Sequence, residues 1–364
     1  MLQFSNYKSY KDNFKKNKIS LVYSTEHKSK PSKIETLIEN ILTKKNSFIF
    51  ESVEKAIHRG RYTIFGYDSD KIYEVKNNSL FINKKRITTT NVYSYLKKLI
   101  KSFDYDLPKN LPPMALMLVG YFGYDTIRFV EKIPNQNKDD LKIPDIRLQR
   151  PKKIIIHDNF KKKLFFISCE YNLKKCSESN YNKNIKELKK IIEDSSKEIT
   201  ARKNKKKLKK IIIKSNTSKK QFKKNVSIAK KHIELGDIFQ VVLSQRFEAK
   251  LQKKPLEIYK KIRKTNPSPF LYFINYDDFQ IVGSSPEILV RVKDNKITIR
   301  PIAGTRPRGR TTKEDLFYEK DLLKDKKELS EHLMLLDLGR NDAGKVSKIN
   351  SVKVTEKFII ERYS

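Results

Sequence analysis

The segment Arg300-Pro-Ile-Ala303-Gly304-Thr305-Arg306-Pro-Arg308-Gly309-Arg310 is the most informative stretch of this 364-residue chain. It holds four of the 16 arginines in 11 residues, although Lys outnumbers Arg four to one overall. A guanidinium forms a planar, bidentate fork that an ammonium group cannot copy. The segment therefore indicates one of two things. It is either a ligand loop organised around carboxylates, with Gly304 and Thr305 available to the ligand, or a surface cluster of structural ion pairs.

A leucine-rich helix is predicted next, in Lys327-Glu328-Leu-Ser-Glu331-His332-Leu-Met-Leu-Leu-Asp337. Leu329, Leu333 and Leu336 predict one buried face, against which His332 is expected to pack. Glu328 and Glu331 are three residues apart, so both carboxylates project from an adjacent face. Such a pair of hard oxygen ligands suits Mg²⁺, which keeps water and substrate oxygens in its shell. An ordinary solvated helix face is the alternative.

Three signals precede this region. Ser218 and Gln221 form a capping-box pattern that opens a helix, and Gly236 is placed to end it. From there Gln240 leads an apolar run to Phe247 that predicts a strand, and Gln240 taken by itself is more typical of an ordinary edge residue than of a functional one. A turn with two prolines then enters another strand, in Asn266-Pro267-Ser268-Pro269-Phe270-Leu271.

The rest of the chain mixes short strands with helices, without a βαβ rhythm or an internal repeat. A helix is predicted within 31–43. Strands are predicted at 19–24, 48–53, 61–65, 71–75, 79–83, 114–121, 153–157 and 162–168. We expect an N-terminal domain over 1–160, a basic charged helix and linker over 161–217, and a catalytic domain over 218–364.

The formal charge of +38 is typical of proteins that bind nucleic acid, so a nucleic-acid partner is the first hypothesis. However, residues 232–364 carry only +7, and half of the excess lies in 151–231. The tract Arg202–Lys214 has no interleaved aromatic residues to stack on bases, so a solvated helix and linker is the favoured interpretation. We expect no nucleic-acid partner.

Two cysteines, Cys169 and Cys176, show neither metal-ligand spacing nor the density of a disulfide scaffold. The N-terminus has no apolar signal segment, and no run of about 18 apolar residues could span a membrane. These features predict a soluble, cytoplasmic protein without a membrane partner.

Taken in order, these strings resemble the large subunit (component I) of anthranilate synthase, in the chorismate-utilising enzyme family. Upstream strings resemble the N-terminal domain of the same family: Phe48-Ile-Phe-Glu51-Ser52, Gly60-Arg-Tyr62-Thr-Ile-Phe-Gly66 and Val119-Gly-Tyr-Phe-Gly-Tyr-Asp125. The resemblance implies an α+β fold of two packed, mainly antiparallel β-sheets flanked by helices, with the N-terminal and chorismate-binding parts intertwined.

The resemblance also implies a Mg²⁺-dependent lyase that aminates chorismate with ammonia and eliminates pyruvate, giving anthranilate for tryptophan synthesis. Glu331 matches a direct Mg²⁺ ligand, and Glu328 beside it matches a residue serving the metal-bound water and the substrate. Gly304 and Thr305 match chorismate-contacting positions. A glutamine amidotransferase subunit (component II) is the implied source of ammonia.

A regulatory site for L-tryptophan is implied as well, at Ser52 and at Asn266, Pro267, Ser268, Pro269, Phe270 and Leu271. The family often has Tyr and Met where this chain has Phe270 and Leu271. The apolar bulk is kept and a hydroxyl is lost, so inhibition is expected with an altered strength.

Two positions separate close relatives. Relatives that make aminodeoxychorismate carry a nucleophilic Lys where this chain has Ala303, and relatives that make isochorismate carry a Lys base where it has Gln240. An ammonia-using enzyme needs neither lysine. The same-class alternative is aminodeoxychorismate synthase component I, and the alternatives from another class are a basic nucleic-acid-binding protein and a non-catalytic remnant.

The chain ends at Ile360-Glu-Arg-Tyr-Ser364, where the family continues with a catalytic His, a second Mg²⁺-binding Glu and further carboxylate-binding groups. The resemblance therefore leads us to expect a C-terminally truncated chain that does not make anthranilate alone. Anthranilate fluorescence after mixing with chorismate, Mg²⁺ and ammonium is the measurement, and clear turnover would contradict the expectation.

Overall fold

The computed structural model describes residues 2–28, 32–52, 60–89, 91–197 and 209–362. This part of the chain contains eight α-helices, α1 to α8 in chain order. They are Tyr7–Asn17, Ser32–Ile41, Val92–Lys101, Glu178–Ser196, Lys219–Glu234, Pro255–Thr265, Thr312–Lys324 and Lys326–Gly344. No helix in the described ranges is long and apolar enough to cross a membrane.

The same residues form fifteen strands, β1 to β15 in chain order. They are Leu2–Phe4, Ser20–His27, Ser47–Glu51, Tyr62–Lys76, Ser79–Ile82, Lys85–Ile87, Val119–Phe122, Ile146–Asp158, Lys163–Glu170, Ile213–Ser215, Phe247–Ala249, Phe270–Asn275, Gln280–Ser285, Arg291–Lys293 and Lys296–Thr298.

One antiparallel sheet of eleven strands dominates the architecture. Its main path runs β1-β2-β9-β8-β4-β3-β12-β13, with β5 and β7 pairing to the sides of β4 and β8 and β6 pairing to β5. Helices α1, α2 and α4 pack against β2, β3, β4 and β9. The predicted α+β class, mainly antiparallel and flanked by helices, is confirmed.

Asparagine-rich turns set the register of the hairpins. Asn77 and Asn78, between β4 and β5, both have positive φ, and so do Asp294 and Asn295 between β14 and β15. Paired left-handed residues are typical of type I′ turns, whose twist matches that of the strands. The turn predicted at Asn77-Asn78 is confirmed.

The main core lies on one face of this sheet, because alternate residues of each strand point to the same side. Ile19, Leu21 and Tyr23 contribute from the β2 region, and Ile154 and Ile156 from β8. Other members from neighbouring strands and loops are Phe48, Ile64, Ala115, Leu116, Val119, Phe165, Ile167, Cys169, Ile274 and Tyr276.

The predicted strand at 114–121 is wrong over its first half. Pro113–Ala115 form a 3₁₀ turn, and the strand begins only at Val119. Ala115 and Leu116 are buried in the main core. The run is apolar because it packs against the sheet from a loop, and apolar content without alternation does not distinguish the two arrangements.

The strand predicted after Gly236 is also wrong, since residues 237–246 form no strand and pairing begins at Phe247. The helix before it is confirmed. Ser218 caps α5 by accepting a hydrogen bond from the Gln221 backbone N–H at 3.2 Å, and Gly236 follows with φ +81°.

The chain forms two compact units, Met1–Ile199 with Tyr259–Ser364, and Thr200–Ile258. Strand β12 pairs with β3 inside the first unit, so residues from both ends of the chain share one sheet. The boundaries at 160 and 217 stay a prediction. The basic tract Arg202–Lys214 lies partly outside the described residues.

Candidate functional site

The arginine-rich segment is an irregular loop between β15 and α7. Arg306 anchors it, because its Nε donates to Asp321 Oδ2 at 2.5 Å and its Nη2 donates to Asp325 Oδ2 at 2.7 Å. Both partners belong to the end of α7 and the junction with α8. Arg306 lowers the pKa of the Asp325 carboxyl, chiefly through this hydrogen bond. Two nitrogens of one guanidinium therefore bridge two carboxylates of the chain.

Asp325 also caps the helix that carries the two candidate metal ligands. Its Oδ1 accepts hydrogen bonds from the backbone N–H groups of Lys327 at 3.0 Å and Glu328 at 3.3 Å. A carboxylate at this position satisfies helix N–H groups that otherwise have no partner. Through Asp325, Arg306 fixes the loop to the first turn of α8.

A second clamp lies further along the loop. Arg308 Nη2 donates to Asp315 Oδ2 at 2.7 Å, and the Gly309 backbone N–H donates to Asp315 Oδ1 at 2.5 Å. These hydrogen bonds, led by that of Arg308, lower the pKa of Asp315 to about 2. Both clamps use carboxylates of the chain itself, so Arg306 and Arg308 shape the loop.

Gly304 lies directly against Glu328. A Cβ built on Gly304 would stand 3.0 Å from Glu328 Oε2 and 3.0 Å from Leu322 Cδ1, and the backbone φ is +69°. Only glycine adopts this conformation without strain. The structure thus brings together a predicted substrate-binding residue and a predicted metal-side carboxylate, which are 24 positions apart in sequence.

The two carboxylates lie on α8 as predicted, and both side chains are partly buried. Glu328 Oε1 lies 3.9 Å from Arg306 Nη1. Glu331 follows one turn later, and the ring centre of the neighbouring His332 lies 5.2 Å from that of Phe358, with the ring planes tilted by 46°. In the described ranges, no group of three or more His, Cys, Asp or Glu residues is arranged to hold a metal ion.

The predicted buried face of α8 is wrong. None of its residues is buried, and Leu333 remains 43% exposed. An open cleft of about 1560 Å³ lies nearby. Its lining includes Ala303, Gly304, Thr305 and His332 together with residues 351–362. The apolar side of the helix therefore borders open space.

Gln240 lies in the second compact unit, in the irregular stretch between α5 and β11, and it is exposed. Gln240 occupies the position at which isochorismate-forming relatives carry a Lys base, and its assignment to the catalytic residues together with Glu328 and Thr305 stays a prediction.

The residues assigned to the regulatory site come from two distant parts of the chain and meet in the sheet. Leu271 of β12 pairs with Glu51 of β3, so the antiparallel register carries Ser52 towards Phe270. Leu271 is buried and Phe270 is 40% exposed.

The two-proline turn is held by hydrogen bonds from Ser284 of β13. Ser284 Oγ donates to the Asn266 carbonyl at 3.0 Å and lies 2.9 Å from Ser268 Oγ. Pro267 and Pro269 flank the buried Ser268. The turn therefore presents Phe270 at the start of β12.

A charged cluster beside these residues was not predicted from the sequence. The Glu51 side chain is only 2% exposed, and Arg263 Nε lies 2.6 Å from its Oε1. The Tyr259 hydroxyl donates to the same oxygen. The four-residue spacing of Tyr259 and Arg263 indicates that both side chains lie on one face of a helix. It does not show that this face meets Glu51, because that contact depends on the sheet.

Comparison with known proteins matches residues 45–364 to the family described as chorismate binding enzyme. Anthranilate synthase component 1 of Cereibacter sphaeroides is 38% identical, over 99% of this chain and 74% of that protein. The Pseudomonas aeruginosa protein of the same name is also 38% identical, over 88% of this chain and 66% of its own length.

The crystal structure of anthranilate synthase component I from Streptococcus pneumoniae superposes with a TM-score of 0.74 at 31% identity. The match covers 86% of this chain and 68% of that one.

Proposed function

Because this chain belongs to the family of chorismate binding enzymes, we propose that it serves as component I of an anthranilate synthase. The proposed reaction takes chorismate and ammonia to anthranilate, pyruvate and water, the step that supplies tryptophan synthesis. The contact between Gly304 and Glu328 carries the proposal, because it joins a substrate-binding loop to a carboxylate-bearing helix.

Two carboxylates on one helix support the magnesium ion that we propose as cofactor. Glu328 and Glu331 offer hard carboxylate oxygens from one helix, and Mg²⁺ commonly uses one or two carboxylates and fills its remaining positions with water and substrate oxygens. When bound, the ion would grip a substrate carboxylate and support departure of the C4 hydroxyl of chorismate. We propose Glu331 as its direct ligand.

The proposed roles of the other site residues follow from where they lie relative to Glu328 and the open cleft. Gly304 lets the loop backbone approach Glu328, and the exposed Thr305 hydroxyl borders the open cleft where chorismate is proposed to bind. Glu328 serves the metal-bound water and the substrate. Ala303 and Gln240 offer no amine nucleophile or base, so ammonia is the nucleophile. A glutamine amidotransferase subunit is the proposed source.

Tryptophan is proposed as a feedback inhibitor bound at Ser52 and Asn266–Leu271. The pairing of β3 with β12 supports this assignment, since it places the two segments side by side. The apolar Phe270 and Leu271 suit an indole, and the loss of the family's hydroxyl changes the strength of binding.

Calorimetric titration with chorismate tests the catalytic assignment. We expect binding in the presence of Mg²⁺ and its loss in EDTA. Glu331→Gln should weaken the metal-dependent affinity by about tenfold or more, because ligand-sphere changes commonly cost this much. Asp337→Asn is the matched control, because Asp337 lies on the same helix and pairs at the surface with Arg340.

Equal chorismate affinity with Mg²⁺ and with EDTA would contradict the magnesium assignment. Mass spectrometry of any product formed with ammonium separates the two synthases. Anthranilate has lost the pyruvyl group, whereas aminodeoxychorismate retains it and would support the alternative.

A further inference from the structure

A buried carboxylate stands at the point where the two regulatory segments meet. Glu51 is the last residue of β3 and immediately precedes Ser52, and its side chain is 2% exposed. Its register partner on β12 is Leu271. A buried carboxylate costs free energy unless charged or polar groups surround it.

Two residues of α6 supply those groups to the same oxygen. The Tyr259 hydroxyl donates to Glu51 Oε1, and Arg263 Nε lies 2.6 Å from that atom. Burial, with a further contribution from Glu51, raises the pKa of the Tyr259 phenol, so the hydroxyl stays a donor. Tyr259 is fully buried against the ring of Phe273 on β12, at 5.7 Å between ring centres.

Helix α6 leads directly into the two-proline turn. Arg263 lies in its last turn, and the Asn266 backbone N–H donates to the Ile262 carbonyl at 2.8 Å. The other end of the Arg263 guanidinium donates through Nη1 to Glu35 Oε1 of α2 at 2.6 Å. One guanidinium therefore ties the start of the turn to the end of β3 and to a helix packed on the sheet.

We propose that Tyr259 and Arg263 are positioning residues that hold the Glu51 carboxylate and thereby set the affinity of the tryptophan site. The inference rests on the proposed regulatory function and assigns it two residues outside the segments named above. A buried ion pair is weak evidence for stability, because apolar replacements are often neutral. The expected effect is therefore on the geometry of Ser52 and Phe270, and so on ligand affinity.

The chain contains no tryptophan, so the fluorescence of added L-tryptophan, excited at the red edge where tyrosine does not absorb, reports binding without a background from protein tryptophan. Tyr259→Phe removes only the hydroxyl and is expected to raise the Kd for tryptophan about tenfold, the scale of one hydrogen bond to a charged group. Arg263→Gln should raise it at least as much. Arg263→Lys keeps the charge but loses the fork, and its Kd should fall between those of the wild type and Arg263→Gln.

Lys260→Gln is the matched control. Lys260 also lies on α6 and pairs with Glu39 of α2, so its loss removes a link between the same two helices without touching Glu51. We expect an unchanged tryptophan Kd for this variant. Melting temperatures of all four variants, measured without ligand, distinguish a specific loss of tryptophan affinity from a general loss of stability.

The outcomes separate the positioning role of Tyr259 and Arg263 from the regulatory site itself. Tryptophan binding by the wild type with an unchanged Kd in Tyr259→Phe and Arg263→Gln would overturn the positioning role and keep the regulatory site. A Kd that rises equally in Lys260→Gln, or only in proportion to a lower melting temperature, would also overturn it. Absence of binding to the wild type would overturn the regulatory site together with the inference. Should Arg263→Gln fail to fold, Tyr259→Phe decides.

Discussion

Gly304 combines a conformational requirement with a steric one. Its φ of +69° disfavours any side chain, and an added Cβ would stand 3.0 Å from Glu328 Oε2. We expect Gly304→Ala to cost about 1–3 kcal/mol of stability and to weaken Mg²⁺-dependent chorismate binding. Urea unfolding and calorimetric titration measure the two effects.

Gly236 provides the control for this substitution. It has φ +81° and nothing within 4 Å of the built Cβ, so Gly236→Ala introduces the conformational strain without the contact. Equal losses of chorismate affinity in the two variants would show that the contact with Glu328 has no role in binding.

Asp315 gives the loop clamp a pH dependence. Its pKa of about 2 in the folded chain lies below the ordinary 3.8. The ionised Asp315 carboxylate therefore contributes its full stabilisation of the folded chain above about pH 4, and this contribution is lost as the pH falls towards about 2. In Asp315→Asn the urea midpoint should fall less steeply across this window than in the wild type. Asp342→Asn, a surface change on α8, serves as the comparison, and parallel curves for Asp315→Asn and wild type would contradict the clamp.

At the scale of elements, the pairing of β12 with β3 decides where the candidate regulatory site lies. Phe273 of β12 is 2% exposed and contacts Tyr259 across the sheet-helix interface. Phe273→Ala is expected to destabilise the fold by about 3–5 kcal/mol, the usual cost of a cavity left by a buried ring. Chemical denaturation measures it.

Phe270 lies on the same strand but is 40% exposed. Phe270→Ala should therefore change stability far less, while weakening the binding of tryptophan. A stability loss as large as that of Phe273→Ala would show that the end of β12 is packed more tightly than its exposure indicates.

For the whole molecule, the +38 charge is a source of self-repulsion. Raising NaCl from about 10 to 150 mM shortens the screening length from about 30 to 8 Å, so the urea midpoint should rise. Lys223→Glu with Lys224→Glu, both on the exposed basic helix α5, should flatten this rise. A midpoint that falls with salt would mean that the surface ion pairs outweigh the repulsion.

The local features and the family follow from the amino-acid sequence alone. The cap at Ser218, the left-handed Gly236 and the Asn77-Asn78 turn are confirmed, because each depends on interactions within a few residues. The loop at 300–310 and the two carboxylates of α8 were also identified from residue type and spacing. The apolar run at 114–121 was misassigned over its first half, since burial by packing and burial by strand pairing leave the same apolar signature. The run at 241–247 was also misassigned, although it is largely exposed, with Val242 84% and Phe247 61% exposed, so apolar content alone did not indicate strand pairing there.

Contacts between residues far apart in sequence are visible only in the folded chain. The contact of Gly304 with Glu328, the anchoring of Arg306 by Asp321 and Asp325, and the cluster of Glu51 with Tyr259 and Arg263 all join separate elements. Sequence periodicity shows which face of an element is apolar, but not which element covers it. That choice depends on strand order and on the register of β3 with β12, which place residues more than 200 positions apart within hydrogen-bonding distance.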